Sequence, residues 1–149
     1  MPKADTGRTK ETMVGLLSPG EIESLLLRHR MGRIAYSLDG RPVIVPMNYR
    51  YDGAAVYAVS GPGQKIDAMR EQPRISFEID EVDAAGTWRS VVADGVFQEL
   101  TGHEERRAAL HRLGTTWAGA DCCEAIPPPS LIVFCLNLLE KTGRFGSDR

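Results

Sequence analysis

The chain has 149 residues, of which 42% are apolar and 26% charged, and its formal net charge is −2. That balance belongs to a globular domain with one core, and it supplies no global attraction to nucleic acid or an anionic membrane. No apolar run approaches the roughly 20 residues a membrane-spanning helix needs; the longest, Leu131 to Leu139, is interrupted by Asn137.

The first residues, MPKADTGRTKETM, are polar and lack the apolar stretch of a signal peptide. They read as a flexible arm over residues 1–14, ahead of one domain over 15–149, and the expected location is the cytoplasm. Ser18, Pro19 and Glu21 form a capping-box pattern that opens a helix to about Arg28, with Ile22, Leu25 and Leu26 on its apolar face.

Beyond Gly32 the period changes from helical to extended. Three runs, GRIAYSL, VIVPMNYR and AAVYAVS, are separated by Asp39-Gly40 and Asp52-Gly53, both strong hairpin signals. They predict three consecutive antiparallel strands in a meander. Pro46 inside the second run suggests a bulge or a sheet edge. A short helix is expected over about Gln64 to Arg70, closed by Pro73. RISFEID then alternates, with Ile75, Phe77 and Ile79 on one face. TWRSVVADGVFQEL is a long strand with a bend or bulge at Gly95. Thr101 to Glu104 offers a second capping box, opening a helix to about Leu113. The stretch from Leu113 to Ser130 is irregular, with Pro127 to Pro129 enforcing extension, and LIVFCLNLLEKTGRF is a last strand. Six antiparallel strands with about three short helices as inserts predict a mainly β fold, a small closed or split β-barrel.

Several segments carry candidate chemistry. In SGPGQK, Ser60 to Lys65, two bare-backboned glycines precede a lysine at a helix start; this fits an anion site or an ordinary turn. In TWRSV, Trp88 and Ser90 share one strand face and Arg89 takes the other. They read either as donors to a phosphate or polar ring edge, or as a half-buried Trp beside a solvent Arg. PMNYRYDG contains Pro46 and Asn48, poor strand formers, and suits either a planar ligand stacked along it or a bulge.

Other features lead away from chemistry. HEERR places Arg107 where a zinc-protease helix needs its second His. His29 and His111 lie near helix ends, where they commonly cap carbonyls. Cys122, Cys123 and Cys135 form no metal-ligand spacing and, being odd in number, no disulfide framework. Catalytic residues are not identifiable.

Taken in order, MGRIAYS, RPVIVPMNYRYDG, VYAVSGPGQKIDAM, RISFEID and TWRSVVADGVFQEL resemble the pyridoxamine 5'-phosphate oxidase-like superfamily of flavin-binding split barrels. The similarity is greatest to the small branch that includes nitroimidazole-resistance proteins, and it spans about Leu16 to Leu113. The resemblance implies a mainly β, six-stranded antiparallel split β-barrel, a homodimer with FMN at the subunit interface, acting as a flavin-dependent oxidoreductase on an unknown small acceptor. Within the same fold it leaves open a deazaflavin cofactor or a non-catalytic flavin-binding or redox-sensing module. By position, Lys65 with Gly61, Gly63 and Gln64 would hold the phosphate, helped by Ser60. Pro46, Met47, Asn48 and Tyr49 would line the isoalloxazine, largely through backbone. Trp88, Ser90 and Val91 match the W-x-S-V segment near phosphate and ribityl. The branch's histidine just before the serine is Val59 in this chain, and the Arg- and His-rich substrate segment of the vitamin oxidases has no counterpart in LLEKTGRFGSDR.

Overall fold

The structure is a computed structural model that describes residues 13–114 and 130–147. Its elements, in chain order, are β1 (Met13–Leu16), α1 (Pro19–Arg28), β2 (Met31–Leu38), β3 (Arg41–Asn48), β4 (Arg50–Tyr51), β5 (Ala55–Ser60), α2 (Gln64–Glu71), β6 (Arg74–Val82), β7 (Thr87–Glu99), α3 (His103–Leu113) and β8 (Ile132–Ser147). All strand pairs are antiparallel, in the order β3-β2-β6-β7-β8-β5-β4, with β1 on the outer half of β8. The expected proline run at 127–129 and Cys122 and Cys123 lie outside the described residues.

Eight strands stand where six were expected, for two local reasons. Met13 and Val14, expected in the arm, belong to β1 and pair with Ser147 and Gly146. The second extended run breaks at Tyr49. Before the break β3 pairs with β2, and after it β4 pairs with β5. The predicted three-strand meander is therefore split, because its middle run changes partner. Since β3 and β4 sit at opposite ends of the strand order and adjoin through one residue, the sheet closes on itself. Following pairs from Tyr51 through Val56, Leu136 and Phe97 to Pro73, then continuing the β6–β2 register to Leu38, returns to the same run at Arg41. The circuit is displaced by roughly ten residues, the stagger that tilts the strands of a closed barrel. The result is a split β-barrel.

Local chemistry accounts for the elements. Asp39 (φ 49°) and Gly40 (φ 76°) make a two-residue turn with positive φ at both positions, which matches the twist of the β2–β3 hairpin. Asp52 Oδ1 accepts from the Ala54 and Ala55 amides at 2.9 and 2.8 Å and folds the β4–β5 turn. Pro46 sits on β3, which bonds a neighbour on one side only, so its missing N–H costs the sheet nothing. The β7–β8 register slips between Asp94 and Gly95, where a Cβ on Gly95 would meet the Asn137 carbonyl at 2.9 Å.

The predicted capping box of α1 forms. Ser18 Oγ accepts from the Glu21 amide, and Glu21 accepts from the Ser18 amide, both at 3.2 Å. Ser18→Ala is expected to cost about 1 kcal/mol, measurable as a lower urea midpoint at unchanged m-value. The second capping box does not form: α3 is capped by Gly102 with no side-chain bond, and Thr101 lies outside the helix. His29 caps no carbonyl with its ring. Its Nε2 lies 2.7 Å from Glu81, which Arg28 also engages.

Two apolar clusters result. The larger fills the barrel, with Ile34, Tyr49, Phe77, Ile79, Phe134 and Leu136, and receives Ile22, Leu25 and Leu26 from α1 and Ile66 and Met69 from α2. The smaller lies between α3 and the outer face of β5 and β8, around Ala109, Val133 and Cys135. Among the described helices none is long and apolar enough to cross a membrane.

Candidate functional site

The split at Tyr49 creates the candidate site. Side chains alternate through the run, so Met47, Tyr49 and Tyr51 are buried in the barrel while Pro46 and Asn48 face outward and are exposed. Tyr49 is fully buried. Its hydroxyl donates to the Leu26 carbonyl at 2.8 Å, and its ring meets Phe77 edge-on at 4.9 Å. Burial holds its phenol well above the ordinary value. The Tyr49 amide donates to the Arg30 carbonyl at 2.9 Å. Met47 and Tyr49 thus present only backbone to the outside; outward side chains come from Pro46 and Asn48.

Across the split runs β5, antiparallel to β4, with Arg50 opposite Tyr57 and Tyr51 opposite Val56. Continuing that register would set Ser60 opposite Met47, but pairing stops where β3 turns to β2. Ser60 therefore ends its strand beside an opening, and the Gly61–Gln64 turn follows there. Ser60 Oγ donates to the Gly61 carbonyl at 2.9 Å. A Cβ on Gly61 or Gly63 would meet nothing within 4 Å, and neither glycine lies in the left-handed φ region, Gly63 being extended at φ 165°. Neither the chain's own packing nor its backbone geometry requires glycine there; the bare backbone leaves space against the turn.

Lys65 lies in the first turn of α2 and is half-buried. Burial pushes its ammonium below the ordinary lysine value. Among the described residues no carboxylate comes within ion-pair reach of it; Asp67, in the same turn, is engaged by Arg70 at 3.2 Å. Gly63 caps α2 without a side-chain bond, so no side chain occupies the amides of that first turn. A desolvated cation and uncapped amides at one helix start are the makings of a site for an anion.

Trp88 and Ser90 point outward from β7, whereas Val91 points inward and is 1% exposed, part of the barrel core. The Trp88 ring lies over Gly146, where a Cβ would come within 2.6 Å of the indole. Gly146 is thus the platform for Trp88, a role that only the pairing of β7 with β8 reveals. Arg89, on the opposite face, engages Asp83 at 3.5 Å and Glu81 at 3.7 Å.

The structure brings Ser60, Gly61, Gly63, Gln64 and Lys65 together, with Pro46–Tyr49 across the split. It does not bring Trp88 and Ser90 to that turn within one chain. Ser60 pairs with Ile132 and Trp88 with Gly146, near opposite ends of the 16-residue β8. Between them, the outer face of β3, β2, β6 and β7 carries Ile44, Met31, Val82 and Val92, which are 67%, 60%, 71% and 45% exposed. The same face carries the ion pairs of Arg33 with Glu78 (3.0 Å) and Asp80 (2.9 Å). Arg50, not singled out from sequence, shares the outward face of Pro46 and Asn48; period-two alternation carried past Tyr49 would have found it. Among the described residues, no three His, Cys, Asp or Glu side chains gather as metal ligands would.

A closed, split barrel with an anion-ready turn beside its split defines the class of protein. Residues 18–130 match the family described as pyridoxamine 5'-phosphate oxidase, and the chain belongs to that family. It is 34% identical over 142 residues to an uncharacterized protein of Rhizobium meliloti, covering 88% of this chain and 94% of that one. Among solved structures it is similar to a FAD-binding protein from Mesorhizobium loti, at 34% identity, TM-score 0.78, and 91% and 99% coverage of the two chains. It has the fold of a protein from Bacteroides thetaiotaomicron described as a 5-nitroimidazole antibiotic resistance protein, at 20% identity, TM-score 0.78, and 91% and 89% coverage.

Proposed function

We propose that this chain binds a flavin, specifically FMN, and works as a homodimeric flavin-dependent oxidoreductase on a small acceptor. The observation that carries the reading is Lys65: half-buried, without a carboxylate partner among the described residues, at an uncapped helix start beside the barrel's split. The residues fit the group. Lys65, the turn amides and Ser60 would take its phosphate, and the backbone of Pro46–Tyr49 would line its ring. When bound, the flavin supplies two-electron chemistry of its own. The chain's part is to bind, to orient and to exclude water. The Mesorhizobium relative, described as FAD-binding, supports a flavin in this site.

Two observations support a dimer. Trp88 and Ser90 stand at the far end of β8 from the Lys65 turn, so they would reach a shared ligand from a second copy. The exposed apolar residues of the outer sheet face are the kind of surface an interface between copies buries. Val92→Lys tests this. Glu78 beside it accommodates the new charge in a monomer, but an apolar contact between copies does not bury it cheaply. The variant is expected to run as a folded monomer by light scattering and to lose most of its flavin. A wild-type monomer that holds flavin would contradict the dimer.

Turnover is tested anaerobically. The loaded protein should bleach with NADH or NADPH and recolour on adding a quinone. Bound flavin that is neither reduced nor reoxidised would make the chain a binding or sensing module. Colourless protein that takes up a deazaflavin but not FMN would change the cofactor and keep the fold.

A further inference from the structure

A cavity of about 280 Å³ borders the ring-lining segment, lined by His29, Met31, Gly32, Arg33, Pro46 and Asp80. Register brings these residues together. Pro46 on β3 is opposite Arg33 on β2, and the β2–β6 register, continued from Arg33 opposite Glu78, sets Met31 opposite Asp80. His29, the C-cap of α1, stands where the helix gives way to β2. Two lining groups are fixed in place and keep bonding capacity to spare. His29 Nε2 lies 2.7 Å from Glu81, which Arg28 and Arg89 also engage. The carboxylate holds the proton of the neutral ring on Nε2, which leaves Nδ1 as an acceptor, and no described residue bonds it. Arg33 donates through Nη1, to Glu78 at 3.0 Å and Asp80 at 2.9 Å, while its Nε and Nη2 donors bond nothing among the described residues.

Charge and size narrow the ligand. One guanidinium against the carboxylates of Glu78 and Asp80 leaves no surplus positive charge to hold an anion. The volume falls just short of the roughly 300–1,000 Å³ of pockets for drug-sized molecules, so it suits a single ring. Pro46 and the Met31 thioether are apolar walls for that ring. The spare donors of Arg33 suit a carbonyl oxygen, and Nδ1 of His29 suits a hydroxyl. A quinone offers the first; the hydroquinone, its form with two more electrons and two more protons, offers the second. We propose that this cavity binds the small acceptor, a neutral single-ring quinone, and holds both its oxidised and its reduced form. The cavity lies on the outer sheet face, so in the proposed dimer the ligand sits between copies. The inference rests on the flavin reading for its meaning, since Pro46 belongs both to the cavity and to the ring-lining segment.

The experiment is an NMR titration of flavin-free protein, following the Arg33 Nε–Hε signal, the His29 ring and the Met31 methyl. Two neutral ring probes stand in for the two forms: 1-methyl-4-pyridone, which carries a carbonyl, and phenol, which carries a hydroxyl. Both are expected to shift the three signals, and benzoate, an anion of like size, is not. Arg33→Lys keeps the charge for Glu78 and Asp80 but loses the planar donors, and should weaken the pyridone about two- to tenfold. His29→Phe keeps a ring and removes Nδ1; it should weaken phenol by about the same factor and leave the pyridone unchanged. No shift with either probe, benzoate binding as tightly as the pyridone, or equal weakening of both probes in His29→Phe would overturn the proposal. Displacement of the probes by FMN would overturn it too, because the cavity would then be part of the flavin's own site. The flavin reading fails separately, if the protein takes up no flavin while the probe shifts remain.

Discussion

Lys65→Ala is expected to weaken FMN binding by roughly ten- to a hundredfold while leaving riboflavin binding almost untouched. The two ligands share a ring and differ in a phosphate, so their comparison isolates the anion contact. The lost interaction is a charge-assisted hydrogen bond, worth about 1.5–3 kcal/mol. Lys65 is half-buried, so water screens the contact less than at an open surface. Fluorescence titration of flavin-free protein measures both affinities. Equal loss for FMN and riboflavin would mean that the substitution disturbs α2 rather than a phosphate site. No loss for either would place the anion elsewhere.

Tyr49 should behave in the opposite way. It lies in the segment expected to line the ring, yet its side chain belongs to the barrel core and bonds the Leu26 carbonyl of α1. Tyr49→Phe leaves that carbonyl without its partner and is expected to cost about 1–3 kcal/mol of stability. Tyr49→Ala also empties the contact with Phe77 and should cost about 3–5 kcal/mol. Typical domains hold about 5–15 kcal/mol in reserve, so the alanine variant approaches the margin and the phenylalanine variant does not. FMN affinity of Tyr49→Phe should stay within about twofold of wild type, since only backbone faces the ligand there. A Tyr49→Phe protein of full stability with a large loss of flavin would show that the hydroxyl touches the cofactor.

The contrast between these two residues shows what one sequence makes legible. Local signals read well: the Ser18 capping box, the Asp39-Gly40 turn, the alternation of Ile75, Phe77 and Ile79, and the slip at Gly95 each depend on neighbours a few residues away. Thr101 misleads because its pattern is equally local and the chain enters α3 one residue later, at Gly102. Long-range pairing is not written locally. Nothing in VIVPMNYR marks Tyr49 as the point where a strand abandons β2 for β5, and β1 forms only because the far half of β8 offers it an edge. The site follows the same division. The anion-ready turn is local and can be read. That Trp88 lies at the other end of β8 requires the sheet register.

On the proposed function, this barrel carries a flavin at its split. Protein purified without added cofactor, examined by visible absorption and by mass spectrometry of the released small molecule, tests it most directly. The prediction is a yellow protein that releases FMN at close to one molecule per chain. Release of FAD would keep the flavin and correct its identity. A colourless protein that releases no flavin and takes up neither FMN, FAD nor a deazaflavin would contradict the account.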